Sequence, residues 1–157
     1  AGFGQSADAY HMTAPPPGGA GAQIAIRAAM RDADLSIEDV DYVNAHGTST
    51  PANDSTETAA LRAVFGERAD GLLVSSTKSM TGHTLGAAGG IEAAICALVC
   101  ERGDIPPTIN YETPDPECDL DYVVTGAVKH EVQAAISNSF GFGGHNVSLA
   151  IRQWAGD

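Results

Sequence analysis

Apolar positions along the chain alternate between two rhythms. From about Ala20 to Ala33 they recur at helical spacing, with Gln23, Ile26 and Met30 on one face, after Pro15-Pro16-Pro17-Gly18-Gly19 has broken the chain. Ser36-Ile37-Glu38-Asp39 reads as a capped short turn, and Val40 to Ala45 is a compact apolar run suited to a buried strand. Asp54-Ser55-Thr56-Glu57 matches a capping box for a helix that Leu61, Val64 and Phe65 continue to Gly66. Leu72-Leu73-Val74 is a second short buried strand, followed by a polar loop to Leu85. A third helix runs from about Ala87 to Arg102, stopped by Gly103 and Pro106. Pro106 to Cys118 is irregular. Gln133 to Ser137 and Asn146 to Arg152 are the last two strands, joined by Gly141-Phe142-Gly143-Gly144. The opening Ala1-Gly2-Phe3-Gly4 offers no helix cap or leader and reads as the tail of something begun upstream.

Strands alternating with helices imply an α/β fold, with a mainly parallel sheet covered on both faces and a final antiparallel strand after the last short connection. At 157 residues and 43% hydrophobic content the chain can bury one real core. Its formal charge of −12 disfavours phosphate backbones and anionic membranes, so neither nucleic acid nor a membrane is an expected partner. The most apolar run, Gly86 to Cys100, contains Glu92 and is too short to span a bilayer. Cys96, Cys100 and Cys118 are odd in number and lack metal-ligand spacing; Cys96 and Cys100 lie in an apolar helical stretch where thiols pack. A soluble protein of the reducing cytoplasm is expected, with no disulfide framework.

Chemistry-bearing residues collect where strands end. Three such loops stand out: His46-Gly47-Thr48-Ser49-Thr50-Pro51, Ser75 to His83 with Lys78 in its middle, and Asn138 to Asn146. Ligands bind beyond the carboxyl ends of strands in parallel α/β sheets, so neighbouring strands would make these loops converge. Each element also has a structural reading: histidines after strands are commonly satisfied, glycine turns commonly only reverse the chain, and a lone lysine is normally solvated. Both readings stay open on spacing alone. Glu92 adds a separate argument. It shares a helical face with Ala88, Ile95 and Val99, where a carboxylate is costly unless paired, and Lys78 is the nearest partner in sequence. The alternative places Glu92 at the edge of the stripe, reaching water.

Asn44-Ala45-His46-Gly47-Thr48-Ser49-Thr50-Pro51, Ser76-Thr77-Lys78-Ser79-Met80-Thr81-Gly82-His83 and Asn138-Ser139-Phe140-Gly141-Phe142-Gly143-Gly144 closely resemble the β-ketoacyl synthase family, especially its elongating type II members. Asp8-Ala9-Tyr10-His11-Met12-Thr13 and Pro106-Pro107-Thr108-Ile109-Asn110 look like connecting segments of the same family. The resemblance runs almost end to end, covers residues 1–157 as one C-terminal domain, and implies a thiolase-like half. That half is a five-stranded mixed sheet with helices on both faces, whose first, central strand is truncated at Ala1. The family's nucleophilic cysteine belongs to the preceding half, and none of the three cysteines here stands in its context.

The resemblance implies decarboxylative Claisen condensation of a malonyl thioester with an acyl group held on that missing cysteine, in fatty-acid or polyketide elongation. His46 and His83 match the pair that donates N–H groups to the enolate oxygen, in a tight apolar pocket that keeps the imidazoles neutral. Lys78 and Glu92 match the family's buried pair, and the Phe142 backbone N–H matches an oxyanion donor, with its ring as a gate to the acyl pocket. Thr13, Thr48 and Thr50 match positions that bond the phosphopantetheine arm, and Phe140 joins Phe142 among the substrate-binding positions. No metal or redox cofactor is implied, because the arm arrives on the acyl carrier protein. That carrier, the cysteine-bearing half and a second copy in a homodimer are the implied partners, and the fragment alone is expected to be inactive. A noncatalytic chain-length-factor-type subunit and a structural half-domain are the competing readings. Intact His46, Lys78 and His83 argue against the first. Thiolases need a second cysteine near the end, and none follows Cys118. His145 stands where many relatives carry threonine. A metal reading of His46, His83 and His145 has no ligand spacing behind it.

Overall fold

The computed structural model describes residues 1–154 and residue 156. Strand β1 (Gly2–Ala7) is followed by helix α1 (Ala20–Asp32), strand β2 (Tyr42–Asn44), helix α2 (Asp54–Phe65), strand β3 (Leu73–Ser75), the one-turn helix α3 (Lys78–Thr81) and helix α4 (Ala88–Arg102). Two-residue strands β4 (Asp104–Ile105), β5 (Asp121–Tyr122) and β6 (Val128–Lys129) lead into the long strands β7 (Ala134–Gly141) and β8 (His145–Arg152). Six strands make one mixed sheet in the order β1-β8-β7-β2-β3-β5, and β4 pairs with β6 apart from it. The β7–β2, β2–β3 and β3–β5 pairs are parallel, while β1–β8 and β7–β8 are antiparallel.

Side chains leave a strand alternately to its two faces, and both faces of this sheet are covered. Val43 and Ile136 meet Ile26 and Met30 of α1 and Leu61 and Phe65 of α2. Their chain neighbours Tyr42 and Ala135 point the other way, against Cys96, Val99 and Cys100 of α4. Three residues of β2 therefore suffice for a central strand, since every one of them is buried. The packed thiols are as expected: Cys96 and Cys100 are buried, and all three cysteines are free. No helix among the described residues is long and apolar enough to cross a membrane.

Four details differ from the sequence reading. The first strand is not central: β1 occupies the sheet's edge, paired with β8 from Gly2↔Ala150 to Ala7↔His145. Its glycines hid it from pattern reading because they serve packing. A Cβ on Gly4 would fall 2.0 Å from the Ala25 carbonyl oxygen, so α1 lies directly on the strand backbone. The sheet also gains a sixth, two-residue strand, β5. The glycine-bearing connection is shorter than expected, because β7 runs on to Gly141 and only Phe142–Gly144 turn. Polar pairing extends the ladder, with Ser148 Oγ donating to Asn138 Oδ1 at 2.8 Å. Finally, α3 forms within the segment read as loop, whereas the Ser36–Asp39 capped turn forms as expected.

Candidate active site

The parallel strands β7, β2 and β3 run side by side, so that Asn44 and Ser75, the last residues of β2 and β3, lie level with Ser137 of β7. Cross-bonds then lock the loops beyond them. Asn44 Nδ2 donates to Thr77 Oγ1 at 3.1 Å, and Ser76 Oγ donates to the Gly47 carbonyl at 2.9 Å. The convergence inferred from strand order is thus present for the loops after β2 and β3, and Phe140 of the third segment reaches His46, whereas the glycine-bearing turn does not line the cleft they form.

His46 follows β2 by two residues and is buried, while His83, beyond α3, is exposed. Their ring centroids are 5.5 Å apart and the rings meet edge to face at 88°. The Phe140 ring lies 5.6 Å from His46 on β7. Burial pushes the His46 imidazole down to about 3, helped by the positive charge of Lys78 and by His83, so His46 is neutral at physiological pH. The enclosed pocket expected for both rings holds for His46 alone, because the described residues leave His83 open to solvent.

Lys78 opens α3 and turns inward. Its Nζ donates to Glu92 Oε1 at 2.5 Å, with 4% and 1% of the two side chains exposed. The pairing inferred from the α4 stripe is therefore real, and Glu92 does not reach water. Burial pushes the Glu92 carboxyl up, opposed by the bond and charge of Lys78. Among the described residues, His46 Nδ1 and Glu92 Oε2 are the buried side-chain polar atoms without a hydrogen-bond partner. Such atoms are rare, and both belong to this cluster.

Pattern reading missed one residue here. Glu57 is not part of a capping box, since α2 starts at Asp54 after Asn53 with no side-chain cap. Instead its carboxylate is buried and accepts from the backbone N–H groups of His46 and Gly47, both at 3.0 Å, and from Asn138 Nδ2 at 3.1 Å. Asn53 Nδ2 adds a fourth contact at 3.4 Å. One carboxylate thereby fixes the histidine loop to α2 and to β7. Burial pushes the Glu57 carboxyl up, against these donors. The signal was present: Glu57, Leu61 and Val64 are spaced four and three apart, the same criterion that singled out Glu92.

Thr48 and Thr50 have hydroxyls 3.2 Å apart and line a cleft of about 720 Å³ together with Lys78 and His83. Thr108 to Thr113 line it as well. Thr13, Phe140 and Phe142 do not line it. Thr13 lies on the exposed segment after β1, where the Met12 carbonyl accepts from the Gly143 N–H at 2.6 Å, so it adjoins the β7–β8 turn instead. Phe142 sits on that turn with its side chain 79% exposed. Burial raises the Cys96 thiol to about 12 and the Cys100 thiol to about 11, which leaves both protonated and poor nucleophiles.

The sequence signature of the family described as "Beta-ketoacyl synthase, C-terminal domain" matches residues 1–112. The 3-oxoacyl-acyl-carrier-protein synthase 2 of Synechocystis sp. is 56% identical over 153 residues, which cover 98% of this chain and 37% of that protein. The Staphylococcus aureus protein of the same name is 54% identical over the same shares. Among solved structures, a type II polyketide synthase acyl-carrier protein in complex with its ketosynthase bound to the hexaketide aligns with a TM-score of 0.95 at 42% identity, over 98% of this chain and 38% of that one. A beta-ketoacyl synthase from Burkholderia phymatum aligns at 0.90 and 41% identity, over 98% and 36%. A ketosynthase from Xenorhabdus doucetiae in complex with its chain length factor aligns at 0.85 and 40%, over 98% and 38%. The chain spans less than two fifths of the length of the curated relatives it matches. With its fold and its motifs accounted for, the chain belongs to the β-ketoacyl synthase family and corresponds to the C-terminal part of its members.

Proposed function

We propose that this chain supplies the decarboxylating part of a β-ketoacyl synthase whose nucleophilic cysteine lies in the preceding part of the whole protein. The observation that carries the reading is the edge-on pair of His46 and His83 at 5.5 Å, with His46 held neutral. The neutral His46 imidazole offers one N–H, and the His83 ring beside it offers a second donor.

In the proposed reaction an acyl group is first held as a thioester on the preceding part's cysteine. A malonyl thioester then binds with its carbonyl oxygen toward His46 and His83. The bond to its carboxylate carbon breaks, carbon dioxide leaves, and the electron pair remains as an enolate whose oxygen takes both N–H bonds. The enolate carbon attacks the acyl carbonyl, giving an oxyanion that the Phe142 N–H stabilises. Collapse expels the cysteine thiolate and leaves the extended β-ketoacyl chain on its carrier. Lys78 and Glu92 set the charge pattern beside the histidines and carry no proton in this scheme. Thr13, Thr48 and Thr50 bond the phosphopantetheine arm, while Phe140 and Phe142 border the acyl chain.

The acyl carrier protein delivers both thioesters, so no further cofactor is needed. A homodimer of the whole protein in the cytoplasm completes the proposal. The test is malonyl-carrier decarboxylation by this chain alone and joined to its preceding part. Turnover only in the joined protein is expected. A folded joined protein without turnover would sink the reading and favour a noncatalytic subunit of the chain-length-factor kind.

A further inference from the structure

His145 has no part in the proposed reaction, yet its side chain lies across the turn that carries Phe142. Three of the four residues from Gly141 to Gly144 are glycine, and Gly143 and Gly144 have φ of 84° and 75°. Such a glycine-rich stretch has more backbone freedom than side-chain-bearing residues would give it. Hydrogen bonds pin its far end. The Gly143 N–H reaches the Met12 carbonyl at 2.6 Å, and the Gly144 carbonyl accepts from the Asp8 N–H at 2.9 Å and from Asn146 Nδ2 at 3.2 Å. The Gly143 bond holds the peptide on the carboxyl side of Phe142, whereas none of these contacts involves the Phe142 N–H, and the residue is largely exposed.

The imidazole closes that gap. A Cβ at Gly143 would stand 3.3 Å from both Cδ2 and Nε2 of His145, and one at Gly141 would stand 3.8 Å from the His145 Cβ. Among the described residues, and leaving out chain neighbours, no other residue comes within 4 Å of either position. The His145 imidazole therefore lies over Gly143, the residue after Phe142, while its Cβ and backbone oxygen face Gly141, its partner in the ladder, from the first position of β8.

We propose that His145 is a positioning residue for the reaction, bracing the turn so that the Phe142 N–H stays aimed at the oxyanion. The inference rests on the function proposed above and goes beyond it by assigning the brace to one side chain. Planar bulk over Gly143 is what the geometry uses, so His145→Phe should keep the function and His145→Ala should lose it. An exposed side chain of this kind contributes little to stability. Removing an oxyanion donor outright costs 10²–10³ in rate, and loosening one costs less.

The experiment uses the whole protein, with the preceding part joined, and measures kcat and KM for condensation alongside the melting temperature. His145→Ala is expected to lower kcat about tenfold with KM changed less than about twofold, and His145→Phe to recover most of the loss. A His145→Ala protein with unaltered kcat would overturn the inference, and so would a His145→Phe protein as slow as His145→Ala. An inactive but folded unsubstituted protein would instead count against the proposed function, which keeps the two failures apart.

Discussion

Burial and the neighbouring positive charge hold His46 at about 3 against an ordinary 6.5, and that difference has a measurable consequence for stability. The folded state binds the proton far less readily than the unfolded chain. Between these two values the unfolded state holds more protons, so stability is full above 6.5 and falls as the pH drops toward 3. The slope from one such group approaches about 1.4 kcal/mol per pH unit. Raised carboxyls at Glu57 and Glu92 act in the opposite sense above 4.5, because there the unfolded chain is the one that has lost its protons. Subtracting the denaturation profile of His46→Gln from that of the unsubstituted protein isolates the histidine. That difference should fall as pH drops from 6.5 to 4, and a flat difference would show that His46 is solvated. Glu57 acts on the same residue from below. Glu57→Ala leaves the buried N–H groups of His46 and Gly47 without an acceptor, at about 1–3 kcal/mol each, and should lower the melting temperature and the decarboxylation rate together. An unchanged rate would mean that the loop keeps its shape without the carboxylate.

At the scale of elements, legibility followed the kind of signal each one carries. Helices α1 and α2 and strands β2 and β3 were readable because their apolar periods largely match their burial, and α4 because its apolar run continues to the Gly103 stop, although Ile91 and Leu98 on it are exposed. Strand β1 was not, since Gly2 and Gly4 contribute close approach to α1 instead of apolar side chains. The second half of β7 was not, because Asn138 is paired by Ser148 and Glu57, and a strand stabilised by buried polar bonds has no apolar alternation to read. The site showed the same division. Strand-end loops and the Glu92 stripe located His46, His83, Lys78 and Glu92, whereas Glu57 was lost to a local motif that competes with tertiary contacts for the same residue. The Lys78–Glu92 pair ties α3 to α4 and yields a sharp expectation. Glu92→Ala strands a buried ammonium and should cost roughly 3–5 kcal/mol, read as a fall in melting temperature, while Lys78→Met with Glu92→Leu should recover much of it. Recovery of stability without recovery of rate would place the pair's value in the charge it presents to the histidines.

For the whole molecule, the proposed chemistry divides between two stretches of chain. Acylation of a cysteine needs that thiol and the oxyanion donors, and burial pushes all three thiols described here up and so keeps them protonated, Cys118 on the cleft wall included. Decarboxylation needs the histidine pair, which this chain holds entire. The two half-reactions should therefore separate by mutation in the joined protein. His83→Ala removes one donor to the enolate oxygen and should lower malonyl decarboxylation by about 10²–10³-fold, with acylation of the cysteine nearly unchanged. His83 is exposed in this chain, so the proposed reaction calls for cover from the preceding part to keep water from the enolate. Rapid-quench measurement of acyl-enzyme formation, beside carbon dioxide release from malonyl carrier, reads both steps in one preparation. Equal losses in the two would mean that His83 supports the nucleophile and not the enolate, and full decarboxylation in the variant would remove it from the reaction.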